Sequence, residues 1–139
     1  MTTLAINSIA DLQTAIANVP YAQFLGITCR EDAGRPLFVL PYQEQNVGNI
    51  LLPAIHGGVI GGFLENAAVL HLMWAREATG IPKIVDFSID FLRSAGPTDL
   101  YARCEIVRQG RRVANVLLSA WQDNEAAPVA TARAHYLLA

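Results

Sequence analysis

One run limits the possible folds more than any other. From Val59 to Trp74 every residue is apolar or glycine except Glu65, Asn66 and His71. It is shorter than the roughly 20 residues needed to cross a bilayer and it carries a carboxylate, so a buried core helix is expected. The helix should open at Gly57-Gly58, run to about Ala78, and stop at Thr79-Gly80-Ile81-Pro82. An ionised acid inside such a run is costly unless paired or hydrated. Glu65 is therefore expected to be either a carboxylate of special reactivity or a structural acid paired with His71 or with an arginine across an interface.

The residues just before the run supply a second chemical element. A helix beginning at Gly57-Gly58 offers backbone N–H groups with partial positive charge, and glycine lets a ligand come close to them. Oxyanion donors and a carboxylate together point to acyl transfer or hydrolysis. Gly57 and Glu65 are eight residues apart, which is about 12 Å along a helix. One carbonyl must sit about 3 Å from both its donor and its attacking group. Two such helices, antiparallel across a two-fold axis, place Gly57 of one chain against Glu65 of the other. A homodimer with composite sites is the expectation, and the spacings Gly57-xxx-Gly61 and Gly58-xxx-Gly62 would let another segment pack closely.

Composition narrows the classes. The 139 residues suit one domain, 1–139, and 53% apolar content with 16% charge leaves apolar surface to bury in an oligomer. A net charge of −2, with no basic block beyond Arg111-Arg112, argues against nucleic acid. Cys29 and Cys104 form neither a disulfide framework nor a metal-spaced pair, which suggests a reducing cytoplasm. The segment Met1 to Ile6 lacks the features of a signal peptide, and no membrane partner is expected. No phosphate-binding glycine motif and no G-x-S-x-G occurs, and His71 lacks an i+4 ligand partner. Neither cofactor nor metal is expected.

Ser8 and Asp11 resemble the start of a short helix through Val19, which Pro20 would end. Phe24 to Glu31 and Pro36 to Leu40 read as strands around the turn Asp32-Ala33-Gly34, and Pro41 to Pro53 as a loop. After the long helix the period drops to two. Val85, Phe87, Ile89 and Phe91 alternate with polar neighbours, and strands follow over Leu100–Arg108, Arg112–Gln122 and Val129–Leu138. Four strands at this spacing suggest an α+β domain, an antiparallel meander covered by the helix.

A helix opened by Ala54-Ile55-His56-Gly57-Gly58-Val59-Ile60, with an acid nine residues after the histidine and a sheet wrapped around it, resembles the hotdog-fold thioesterases. The likeness is to the phenylacetate-pathway type within the 4-hydroxybenzoyl-CoA thioesterase superfamily. It extends from about Pro20 to Leu138 and includes Asp90-Phe91-Leu92-Arg93 and Arg108-Gln109-Gly110-Arg111-Arg112. The resemblance implies hydrolysis of a small aryl- or fatty-acyl thioester of coenzyme A. Glu65 would attack the carbonyl or activate water, the Gly57 N–H would polarise the carbonyl oxygen, His56 would shape the turn, and Gly58 would contact the substrate. Asn49 would orient the thioester or the water, with Asn46 as the alternative. Arg93, Arg108, Arg111 and Arg112 would bind the nucleotide part of coenzyme A, against the plain reading of solvated turns. The chain departs from the family at Val69 and Ile84, where a Ser or Thr is usual. Phe63, Met73, Trp74, Phe87 and Phe91 are candidates for the acyl pocket or for plain core. The alternative is a non-catalytic acyl-CoA-binding module on the same fold, and the homodimer could pair into a homotetramer.

Overall fold

The computed structural model describes residues 6–76 and 80–138. Helix α1, Ile9–Ala17, begins where Ser8 accepts the Asp11 N–H at 3.1 Å, and Asp11 in turn accepts the Asn7 N–H at 3.0 Å. Pro20 does not merely end it. It occupies the first turn of a second helix, α2 (Pro20–Leu25), where its fixed φ and missing N–H cost nothing. Phe24, expected in a strand, is therefore helical, and β1 begins only at Thr28 (Thr28–Asp32).

β1 turns into β2, Arg35–Leu40, through Ala33 and Gly34 at φ 54° and 76°, the two left-handed residues a tight hairpin needs. The expected loop from Pro41 to Pro53 has structure of its own. A 3-10 turn over Glu44–Asn46 leads into a small hairpin of β3 (Val47–Asn49) and β4 (Ala54–Ile55). Helix α3 follows at once, Gly57–Arg76. The expected end near Ala78 and the stop at Thr79 lie outside the described residues.

The remaining strands are β5 (Lys83–Phe91), β6 (Leu100–Gln109), β7 (Val113–Trp121) and β8 (Ala130–Leu137). They do not form a four-strand meander. The antiparallel six-strand sheet runs β1-β2-β6-β7-β8-β5, so β5 pairs with β8 and stands at the edge. After Phe91 the chain crosses back to lay β6 against β2. Strand alternation fixes which face is buried but not which neighbour is chosen, and that choice is made by long-range pairing.

One flank of α3 covers the sheet. Ile60, Phe63, Leu64, Ala67, Leu70 and Met73 join a core with Phe38, Leu40, Ala102, Val116, Leu118, Ala132, Ala134 and Tyr136. The alanines facing the helix on the central strands let it lie close. α3 has 20 residues and is long and apolar enough to span a bilayer, yet half of that stretch is buried in the chain. It is the core helix that the composition of the run implies.

Candidate active site

The turn into α3 is built by close contacts. The His56 N–H donates to the Asn46 carbonyl at 2.8 Å, tying the helix entrance to the base of the hairpin. A Cβ at Gly48 would stand 2.9 Å from His56 Cα, so only glycine fits there. His56 Nδ1 accepts the Gly58 N–H at 2.8 Å. The imidazole thus caps the second helical residue, as expected of a turn-shaping histidine. The N–H of Gly57, the first helical residue, has no intrahelical acceptor and is left to meet a ligand. A Cβ on Gly57 would press on the Phe91 ring at 3.1 Å, which locks the helix start against the end of β5.

Along the bare flank of α3 lies a trough of about 430 Å³ lined by Gly57, Gly58, Gly61, Gly62, Glu65, Phe87, Ile89 and Phe91. It unites the expected donor, the expected acid and an apolar wall. Glu65 itself is exposed, not buried as the apolar run implied. The sheet covers only one side of α3, and the four glycines leave the other side open. No ion pair among the described residues involves Glu65, so neither His71 nor an arginine of the same chain neutralises it. His71 faces the interior, 5% exposed and 5.4 Å from the Trp74 ring. Burial, with Arg35 adding to it, lowers its pKa to about 4.

Tyr136 is a neighbour that the sequence reading missed. Its hydroxyl donates to the Glu65 carbonyl at 3.1 Å. Burial, reinforced by the charges of Glu65 and Cys104, pushes this phenol up and keeps it a donor. The available signal was a lone large residue in the inward row Ala130, Ala132, Ala134, Tyr136.

The other expected site residues divide. Asn49 sits exposed in the hairpin turn, its Oδ1 accepting the Leu51 N–H at 3.0 Å. Asn46 is 5% exposed, and its Nδ2 has no partner among the described residues. Arg93 follows β5 at one end of the sheet, its N–H directed at the Val129 carbonyl at 3.3 Å. Arg108, Arg111 and Arg112 lie at the opposite end and line a cavity of about 680 Å³ with Gly110, Val113, Asn115 and His135. One chain therefore does not bring the four arginines together. His135 Nδ1 is 2.8 Å from Asp86 Oδ1. Phe63 and Met73 are core, while Phe87 and Phe91 line the trough. Val69 is half-buried, and Ile84 is exposed on the edge strand. Among the described residues no group of His, Cys, Asp or Glu is arranged to hold a metal ion.

A long helix wrapped by this sheet, with an acid and four glycines on one apolar trough, is the hotdog fold with a site of the kind its thioesterases carry. The family model for the acyl-CoA thioesterase N-terminal domain matches residues 49–137. The chain belongs to that family and is a thioester hydrolase. It is similar to a Chromobacterium violaceum protein of solved structure, with 47% identity, TM-score 0.76, and 94% of this chain and 96% of that one covered. A putative thioesterase from Ralstonia eutropha, related to phenylacetic acid degradation, is 26% identical with TM-score 0.78 over 94% and 99% of the two chains. A Bacillus halodurans protein solved with CoA shares the fold at 23% identity and TM-score 0.74, over 94% and 88%. No curated protein matches the chain.

Proposed function

We propose that the protein hydrolyses small aryl- or fatty-acyl thioesters of coenzyme A, as a homodimer with two composite sites. The observation that carries this reading is the trough that holds Gly57 and Glu65 beside Phe87, Ile89 and Phe91. Along one helix the two polar groups are about 12 Å apart, too far to act on one carbonyl. Among the described residues the outer side of β5 has no partner strand. Antiparallel pairing of β5 with that of a second copy would run the two α3 helices antiparallel, and Gly57 of each would face the partner subunit's Glu65. The same pairing would carry the partner's Arg93 toward the end of the sheet where Arg108, Arg111 and Arg112 cluster, a basic site for the phosphates of the nucleotide. The Bacillus halodurans relative's CoA is in keeping with such a ligand. Two of these dimers can pair into a tetramer.

In the reaction, the Glu65 carboxylate attacks the thioester carbonyl carbon or takes a proton from a water that does so. Negative charge grows on the carbonyl oxygen, and the partner's Gly57 N–H stabilises it, an interaction worth about 10²–10³ in rate in comparable sites. The C–S bond breaks and the thiolate leaves, to be protonated in water. If Glu65 is the nucleophile, water hydrolyses the resulting anhydride. Asn46 suits the orienting role better than Asn49. It is tied to His56 through its carbonyl and has an uncommitted amide, whereas Asn49 spends its side chain on the hairpin turn. Two buried, unpaired cysteines support a reducing cytoplasmic setting.

The test is thiol release from a panel of aryl- and fatty-acyl-CoA substrates. Glu65→Gln should lower kcat by roughly 10²–10⁴-fold with an unchanged circular dichroism spectrum. Full activity in Glu65→Gln would remove the mechanism. Thermal stabilisation by acyl-CoA without thiol release would favour a binding module instead.

A further inference from the structure

The two most exposed large apolar side chains among the described residues are neighbours, and a third exposed one follows them. Ile50 and Leu51 are 88% exposed and Leu52 62%, and they form the tip of the β3–β4 hairpin. Two hydrogen bonds close this turn. Asn49 Oδ1 accepts the Leu51 N–H at 3.0 Å, and the Asn49 carbonyl accepts the Leu52 N–H at 3.3 Å. The base is tied down by His56 N–H to the Asn46 carbonyl at 2.8 Å and by Ile55 N–H to the Ala95 carbonyl at 2.9 Å. A preorganised apolar knob in water is unfavourable unless something covers it, and it loses little entropy when it docks.

Its position identifies the cover. The hairpin enters α3 directly, beside the chain leaving β5, where Phe91 and Leu92 are 53% and 52% exposed. The tip thus continues the apolar edge of the sheet. A stable dimer hides about 800 Å² on each partner, from some 20–30 residues a side, and an edge strand of nine residues falls short of that.

We propose that the Ile50–Leu52 tip is an arm that packs on the second copy of this chain, against the partner subunit's α3 beyond its Glu65. The inference rests on the homodimer proposed above. In the antiparallel arrangement the start of one α3 lies level with the partner's Glu65. A tip that precedes Gly57 then lies level with the second half of the partner's helix. Each arm flanks the composite site that its own Gly57 helps to build.

Two measurements on the full chain test this. Leu51→Cys places a thiol at the tip, and the natural Cys29 and Cys104 are each 2% exposed, so a maleimide reports on the tip alone. Labelling should be at least about ten-fold slower where sedimentation finds dimer than after dilution to monomer. Ile50→Ser combined with Leu51→Ser should raise the dimer Kd by at least about ten-fold, with unchanged circular dichroism. Equal labelling rates in dimer and monomer, together with an unchanged Kd, would overturn the arm while leaving the dimer in place. So would a dimer of normal strength whose variant loses only affinity for long acyl chains, or binding of the wild type to phosphatidylcholine vesicles through the tip. A wild type that stays monomeric at every concentration would remove both the arm and the dimer.

Discussion

The two edges of the sheet are built on opposite principles. β1 is short, five residues, and carries Arg30, Glu31 and Asp32. α1 packs beside it, and the Gln13 side chain donates to the Cys29 carbonyl. Its charges are answered within the chain. Arg103 bonds Asp32 and, at 2.9 Å, Glu125, while its guanidinium lies 5.6 Å over the Trp121 ring. The hydrogen bond from Arg103 is the main reason the Asp32 carboxyl is held below its ordinary range. Such an edge repels further strands. β5 is nine residues long, alternates apolar and polar side chains from Val85 on, and among the described residues has no strand on its outer side. A strand of that kind left open invites pairing, and it adjoins the trough with Gly57 and Glu65. The contrast marks β5 as the edge at which the proposed second copy would pair.

The contrast breaks most sharply if charge is tolerated equally at both edges. Val85→Asp on β5 should raise the dimer Kd at least about 100-fold, close to 2.7 kcal/mol, and hydrolysis at nanomolar enzyme should fall with it. Thr28→Asp on β1 should change neither, as sedimentation and thiol release would report. Next in size is acid sensitivity on the closed side, where α3 meets β2. His71 has an ordinary pKa of 6.5 and is lowered to about 4 in the fold, so the folded state favours neutral imidazole. Its stabilising effect is complete above 6.5 and is lost as pH falls toward 4. Each pH unit across that window costs up to about 1.4 kcal/mol. Denaturant midpoints of wild type and His71→Gln at pH 7 and pH 4.5 measure the loss, which the variant should not show.

On the open side, Asn46→Ala should reduce kcat about ten-fold, on the scale of one lost hydrogen bond, and Asn49→Ala far less. The reverse order would return the orienting role to the hairpin turn. The smallest effect belongs to the closed edge. Arg103→Ala should lower Tm by at most about 4 °C, because partly exposed ion pairs contribute little. The shift should shrink in high salt.

Much of this is legible in the sequence. The apolar run dictated α3, the change of period dictated the strands that follow it, and Ser8 and Asp11 marked the first helix start. His56-Gly57-Gly58 formed the turn their chemistry implies, with the histidine as a cap. What failed did so for identifiable reasons. Pro20 stops one helix but also suits the first turn of another, and the sequence does not distinguish the two. The position of β5 depends on which distant strand it meets. An all-apolar helix reads as buried all round, yet four glycines left one flank open and Glu65 with it. The arginines looked like one group, but Arg93 and the cluster around Arg111 stand at opposite ends of the strands. The Ile50–Leu52 tip was hidden in an apparent loop, because turn residues signal a reversal without revealing that its crest is an exposed apolar row.

Both cysteines lie in the core, and burial raises the Cys29 thiol to about 11 and the Cys104 thiol further still. At neutral pH each is almost wholly protonated and shielded, so neither presents the nucleophilic thiolate that disulfide exchange requires. A catalyst whose every turnover liberates a free sulfhydryl is thereby protected from mixed disulfides with its own product, and it should keep its activity as that product accumulates and oxidises.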